Sequence, residues 1–402
     1  MKALLLNAES KTASVSLTTP IPVPQHPTDL LIRVEAIALN PVDALYTFNP
    51  IASSGRIIGS DFAGIVVQIS PPSPDTNNTH HSEGGEGAGG HGIIVGDRVA
   101  GFVQGANSGN DRPGAGAEYV VCPAELVWKV PEGMELEQAA AVSLCGLTAA
   151  QGLFYRLGLR APFEWEGENQ QEGGNGEEEE PLRFFIYGAS TSVGMYAAQL
   201  VRRSCEVSGR KLVLIGAASK ARWGMLKAAP YGYDELVDYR EADWPEQVRR
   251  LAGGDGVDFA YDAISEGETV GRVASTLREG GKIAIVRSRA GRAWAASEEG
   301  LSVEPIYGAV WEGLGHEIQY QGFVVPASPK ARRFAAAFYK WLSQGGKLEP
   351  NPIRLMPGGL DRVVEDGFSL LGTGTMEDRG RDRSEEWMRP ISAEKLVYRV
   401  RE

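Results

Sequence analysis

The sequence predicts an α/β protein: a doubly wound parallel sheet with a compact β-barrel-type domain in front of it. Three observations carry that expectation. Arg183-Phe184-Phe185-Ile186-Tyr187 reads as a buried strand, Gly188-Ala189-Ser190-Thr191-Ser192-Val193-Gly194 as a tight turn of small residues, and Met195 to Val201 as the start of a helix. Beyond that unit strands and helices alternate, as they do when crossover helices link parallel strands. Before it, short β-branched runs are separated by frequent Gly and Pro, the punctuation of a small barrel.

In chain order, Ala3-Leu4-Leu5-Leu6 is an opening strand, too short for a signal core and followed by polar residues. Strands follow at Leu30 to Ile37, Gly64 to Ile69 and Asp97 to Val103. After Pro131 the pattern turns helical, over Glu135 to Ala141 and Thr148 to Leu157. Past the Arg183 unit, strands at Lys211 to Ile215, Gly256 to Tyr261 and Lys282 to Val286 are separated by helices at Lys220 to Ala229, Pro245 to Leu251 and Thr269 to Leu277. The tail offers a long helix from Lys330 to Ser343 and a last strand from Lys395 to Val400, expected to return to the front domain. Three segments, 71–92, 164–180 and 372–390, are too polar to bury a core and read as surface insertions. His80, His81 and His91 fall in the first, where a solvated loop is the expectation rather than a metal site.

Composition narrows the function. The 402 residues leave room for two domains, and 43% apolar residues suffice for a sizeable core. A net charge of -12 argues against nucleic acid. Cys122, Cys145 and Cys205 form no paired pattern and read as reduced thiols, and no apolar run spans a bilayer, so a cytoplasmic, membrane-free protein is expected.

The turn at Gly188 to Gly194 suits a pyrophosphate, because backbone N–H groups and the helix dipole face it. It is not a triphosphate loop, since no Lys-Ser or Lys-Thr follows Gly194. The second strand decides the dinucleotide. An NAD site ends that strand in an acid for the ribose 2′-OH. Here Gly216-Ala217-Ala218 leads instead into Ser219-Lys220-Ala221-Arg222, a hydroxyl and two cations suited to a 2′-phosphate. A solvated helix start has the same residues, but cations are poorly placed at a helix N-terminus unless an anion sits there. NADPH is the cofactor expected.

Taken together, Asn40-Pro41-Val42-Asp43, Gly59-Ser60-Asp61-Phe62-Ala63-Gly64, Gly96-Asp97-Arg98-Val99, Gly114 to Val120 and Gly146-Leu147-Thr148-Ala149-Ala150 resemble the medium-chain dehydrogenase/reductases. The resemblance implies a GroES-like substrate domain from both termini, 1–150 with 345–402, around a Rossmann domain, 151–344. Zinc-dependent members carry a Cys near the first motif and Gly-His-Glu in the second. Asn40-Pro41-Val42-Asp43 and Gly59-Ser60-Asp61 stand there instead, and the Cys-rich structural lobe is missing, so no metal is expected. Tyr187 to Ser192, Val237-Asp238-Tyr239-Arg240, Tyr261 to Ser265 and Glu394-Lys395-Leu396-Val397 are similar to the zinc-independent fungal trans-acting enoyl reductases that partner polyketide synthases.

That likeness implies cofactor contacts at Pro41, Val42, Asp43, Ala44, Gly188, Ala189, Ser190, Thr191, Ser219, Lys220, Ala221, Arg222, Tyr239, Ala263, Ile264, Ile391 and Ser392. It implies substrate contacts at Ser143, Leu144, Cys145, Gly146, Leu147, Thr148, Ala149 and Ala150, and at Val286, Arg287, Ser288, Arg289 and Ala290. Two departures stand out: Leu45 and Tyr46 replace a frequent Lys, and Ser219 to Arg222 replaces a more usual Ser-Pro-His-Asn.

Without a metal, reduction of an activated alkene is easier than reduction of a carbonyl, because the enolate oxygen needs only hydrogen-bond donors. Ser143, Thr148 and backbone N–H groups near Gly146 are the candidate donors. Tyr46 is a candidate proton source, or a packing tyrosine. Asp43 orients the nicotinamide ribose, or closes a strand end; Cys145 is a small apolar filler of the substrate wall. Arg287, Arg289 and Arg292 protect a sheet edge, which favours a monomer. Three functions remain open: a trans-enoyl reductase acting on a polyketide thioester, a zinc-free quinone or small-enone reductase, and a non-catalytic NADPH-binding scaffold.

Overall fold

A computed structural model describes residues 1–70, 92–166, 180–295, 301–320, 324–379 and 383–401. His80, His81 and His91 lie outside the described residues, as do 71–91 of the first expected insertion, 167–179 of the second and 380–382 of the third.

The front domain begins with the hairpin β1 (Ala3–Asn7) and β2 (Thr12–Ser16), then β3 (Asp29–Ala38), α1 (Pro41–Phe48), β4 (Asp61–Ile69), β5 (Arg98–Phe102), β6 (Tyr119–Pro123) and β7 (Val127–Lys129). The expected strands are all present. The helix α1 is not among the sequence expectations. It forms because Asn40 and Asp43 make a reciprocal capping box and Pro41 occupies the first helical position. Helices α2 (Leu136–Ala140) and α3 (Ser143–Ala150) lead out of the domain, and α3 continues as a π-helical turn over Gln151–Arg156.

The central domain contains β8 (Leu182–Tyr187), α4 (Ser192–Ser208), β9 (Leu212–Ala217), α5 (Trp223–Lys227), β10 (Glu235–Val237), α6 (Trp244–Leu251), β11 (Val257–Asp262), α7 (Thr269–Ala274), β12 (Leu277–Ile285) and β13 (Ile306–Tyr307). Six strands pair in parallel in the order β10-β9-β8-β11-β12-β13. The chain winds outward from β8 in both directions, so a crevice opens between the C-terminal ends of β8 and β11, the place where doubly wound sheets hold dinucleotides. Phe184, Phe185 and Ile186 are fully buried, as a central strand covered by helices on both faces requires.

After the short hairpin β14 (Ile318–Gln319) and β15 (Val324–Val325), α8 (Pro329–Ser343) is capped by Ser328, with Pro329 in its first turn. The last strands, β16 (Ile353–Met356) and β17 (Lys395–Arg399), pair in parallel, and β17 then pairs antiparallel with β3. The C-terminus therefore closes the front sheet, whose order is β16-β17-β3-β4-β5-β7 with β6 also on β3. Among the described residues, no helix is long and apolar enough to cross a membrane.

Candidate functional site

At the crevice, the turn after β8 is shaped by Gly188, whose φ of +75° is left-handed and whose Cβ would come within 2.9 Å of Ile264. Thr191 caps α4: its hydroxyl donates to the Gly188 carbonyl at 2.8 Å and accepts from the Gly194 amide at 3.0 Å. Gly194 lets helix and strand approach, since a Cβ there would stand 2.3 Å from the Gly188 oxygen. Ser190 remains half-buried in the turn. The cradle thus leaves room for a pyrophosphate where side chains would fill it, and a dinucleotide fits.

Opposite the cradle, Asp262 is a residue that sequence reasoning missed. Fully buried, it accepts from the amides of Ile264 (2.9 Å) and Ser265 (2.8 Å) and from the Thr269 hydroxyl (2.6 Å). That turn fixes Ala263 and Ile264 beside Gly188, so two separately expected cofactor contacts meet across the switch point. Burial pushes the Asp262 carboxyl up to about 6.

Around the end of β9, Arg222 donates through Nε to the Ser392 hydroxyl at 2.9 Å, joining two expected contacts 170 residues apart. Tyr239 is 39% exposed and packs edge-on against Tyr187, with Arg240 stacked on its ring. Ser219 is half-buried, and Lys220 and Ala221 are exposed. Lys220 is engaged by Glu241 at 2.6 Å. Arg222, rather than Lys220, is the cation freer of a carboxylate partner in this group.

The front-domain half differs from expectation. Asp43 does not offer its carboxylate to a ribose: it is 4% exposed, accepts from the Asn40 amide at 2.7 Å, and takes the Ser60 hydroxyl at 2.5 Å on its other oxygen. Burial raises its pKa to about 6. Neither reading of it, ribose orienter or strand end, describes a helix capping box. Pro41 is exposed, Val42 half-buried and Ala44 buried in the same first turn.

Ser143 is 0% exposed, its hydroxyl accepting from the Trp128 indole at 3.0 Å and its carbonyl from Tyr339, so it faces the core and not a substrate. Leu144, Cys145, Gly146, Leu147, Ala149 and Ala150 are likewise buried. Along 143–150 only Thr148 keeps some exposure, with its hydroxyl donating back to the Leu144 carbonyl at 2.7 Å. Val286, Arg287 and Ser288 are half-buried, while Arg289 and Ala290 are exposed. Arg287 pairs with Glu266 at 3.2 Å, two residues beyond Ile264.

Tyr46 is 7% exposed, its ring 6.4 Å from that of Trp311. Tyr320 and Trp311 lie beside its hydroxyl, and burial holds the phenol well above its ordinary value. It therefore stays protonated throughout the physiological range.

Between α1 and α3 lies a buried polar cluster. Asp61 accepts from the Leu144 amide at 2.9 Å, from Asn40 at 3.0 Å and from the Lys395 ammonium at 2.6 Å. Cys145 is no apolar filler, since its Sγ lies 3.5 Å from both Asn40 Oδ1 and Lys395 Nζ. These side chains satisfy one another around an ammonium, and the set does not fit a metal ion. Among the described residues no group of three or more His, Cys, Asp or Glu is placed to hold one. A separate groove of about 710 Å³ beside β16, lined by Arg354, Leu355, Trp387 and Arg389 among others, contains none of the expected site residues.

Comparison with known proteins matches residues 26–132 to the alcohol dehydrogenase GroES-like domain and residues 193–303 to the zinc-binding dehydrogenase domain. The trans-enoyl reductase ccsC of Aspergillus clavatus is 27% identical over 99% of this chain and 96% of its own. The trans-enoyl reductase traG of Penicillium crustosum is 29% identical over 96% of this chain and 93% of its own. Among solved structures, the CurK enoyl reductase superposes with a TM-score of 0.65 at 17% identity, covering 99% of this chain and 98% of that one. Mycobacterial Rv1454c in complex with NADPH superposes with a TM-score of 0.64 at 20% identity, covering 99% of this chain and all of that one.

Proposed function

The chain belongs to the medium-chain dehydrogenase/reductase superfamily of oxidoreductases, and from that premise we propose that it is a zinc-independent, NADPH-dependent enoyl reductase. Its substrate in this reading is the conjugated C=C of a thioester-bound polyketide, delivered in trans by a polyketide synthase to a monomeric, cytoplasmic enzyme. Full-length similarity to proteins named trans-enoyl reductases supports the substrate class. The observation that carries the chemistry is the polar cluster closed around Lys395, which offers a carbonyl oxygen no Lewis acid. Alkene reduction needs none.

Backbone groups of Gly188, Ala189, Ser190 and Thr191 would hold the pyrophosphate. Arg222, with Ser219 and Lys220, would hold the 2′-phosphate, and the first turn of α1 with Ala263 and Ile264 would flank the nicotinamide. When bound, the reduced nicotinamide supplies a hydride to the β-carbon. The protein's part is to orient, to hold charge and to protonate. Thr148 is the half-buried hydroxyl of 143–150, and turning its proton from the Leu144 carbonyl to the thioester oxygen would let it hold the negative charge that develops there, while the phenol of Tyr46 gives its proton to the α-carbon. Tyr320 and Trp311, beside that hydroxyl, would then steady the phenolate.

The test measures NADPH oxidation with an N-acetylcysteamine 2-enoyl thioester, with a quinone, and with no acceptor. Thioester turnover is the expected result. Turnover of quinone alone would replace this reading with a quinone reductase, and NADPH binding without turnover would leave a scaffold.

A further inference from the structure

Lys395 lies on β17, in the Glu394-Lys395-Leu396-Val397 segment, and takes no part in the proposed hydride or proton transfer. It is 4% exposed, and Asp61 at the start of β4 is fully buried. Three acceptors surround the ammonium: Asp61 Oδ2 at 2.6 Å, the Ala141 carbonyl at 3.5 Å and Cys145 Sγ at 3.5 Å. Three N–H bonds meet three partners, a fit for a compact ammonium and not for a planar guanidinium. Asp61, held by this cation, in turn accepts from Leu144 in the first turn of α3 and from Asn40, the cap of α1. Asn40 also receives the Cys145 thiol, and its amide is held by Asp43. One ammonium therefore ties the C-terminal strand to the two helices that carry the expected nicotinamide turn, Tyr46 and Thr148.

We propose that Lys395 is a positioning residue, a built-in cation that locks the first turns of α1 and α3 around Asp61. It gives a fixed charge to a site that offers a metal no donor set. Without its cation the buried Asp61 would carry an unpaired charge, which is costly away from water. The groups facing Asp61 are Lys395 on β17, Asp43 on α1, Cys145 on α3, Tyr196 on α4 and Tyr339 on α8. Only Lys395 is cationic.

The experiment compares wild type with Lys395→Met, Lys395→Arg and the charge-balanced Lys395→Met/Asp61→Asn. Readouts are amide hydrogen exchange by mass spectrometry, NADPH affinity, and kcat with the 2-enoyl thioester. In Lys395→Met, amides of 41–48 and 143–150 should exchange at least tenfold faster, with 182–187 and 192–208 unchanged. Its kcat should fall tenfold or more while NADPH affinity stays within threefold, because the phosphate cradle is untouched. Lys395→Arg should restore part of kcat, and the double variant should not recover wild-type kcat. Wild-type exchange in both segments, or kcat within twofold of wild type, overturns the proposal. If Lys395→Met does not fold, the double variant decides by the same criteria. The proposal rests on the reductase reading only for kcat. Should wild type reduce no acceptor, that reading fails, and the exchange pattern alone judges Lys395.

Discussion

In the proposed reaction, Tyr46 is the side chain on which the protonation step depends. Replacing it with Phe keeps the ring against Trp311 and deletes only the proton donor. General acids contribute about 10²–10⁴-fold, so Tyr46→Phe should lower kcat by about 10² with little change in NADPH affinity, read by steady-state kinetics. Asp43 yields a stability prediction. Its pKa is raised from 3.8 to about 6 in the fold, so its stabilising contribution is complete below pH 3.8 and is lost as pH rises through 6. At about 1.4 kcal/mol per pKa unit, the loss is roughly 3 kcal/mol. Asp43→Asn removes that titration. The stability of wild type relative to Asp43→Asn, from urea unfolding, should therefore fall between pH 4 and pH 7; a constant difference would refute the assignment. The Asp43 motif was legible in the sequence, but its role was not. Pro41 looks like the end of a strand until the chain is seen to turn into α1. Ser143 misled for a related reason: its type suits a donor, and only packing shows that it is fully buried beside Trp128.

Among the elements, the β8–turn–α4 unit was the most readable, because all its determinants are local: a buried strand, small residues, and Thr191 as a cap. Gly194→Ala puts a Cβ 2.3 Å from the Gly188 oxygen, so the turn must open. Dinucleotide affinity should drop by at least tenfold, and isothermal titration would measure it. At the neighbouring β9 end, Arg222→Ala should weaken NADPH tenfold or more and leave NADH nearly unchanged, because only NADPH loses a charge-assisted bond to its 2′-phosphate. An equal loss for both cofactors would show that Arg222 acts through Ser392 on the fold rather than on the phosphate. The turn after β11 could not be read the same way. Asp262 organises it through hydrogen bonds to residues two, three and seven positions on, a pattern that many surface loops share.

For the whole molecule, the decisive contacts join residues far apart in sequence. Lys395 meets Asp61 across 334 residues, and Arg222 meets Ser392 across 170. Periodicity and local motifs report nothing about such pairs, so the parallel sheet and the return of the last strand to the front domain were legible, and the buried ion pair was not. Breaking a buried pair by removing one partner typically costs about 3–5 kcal/mol, a large share of a domain's stability. The C-terminal strand thus supports both the fold and the site. At the sheet's far edge, β13 has only two residues, a short edge that offers little for pairing with a second copy. The central claim is that this assembly moves hydride from NADPH to the β-carbon of an enoyl thioester. The most direct measurement supplies NADPH deuterated at the transferable position together with a 2-enoyl N-acetylcysteamine thioester, and reads the product by mass spectrometry and NMR. One deuterium at the β-carbon of a saturated thioester is the predicted result. Unchanged thioester, or deuterium on a carbonyl carbon, would contradict it.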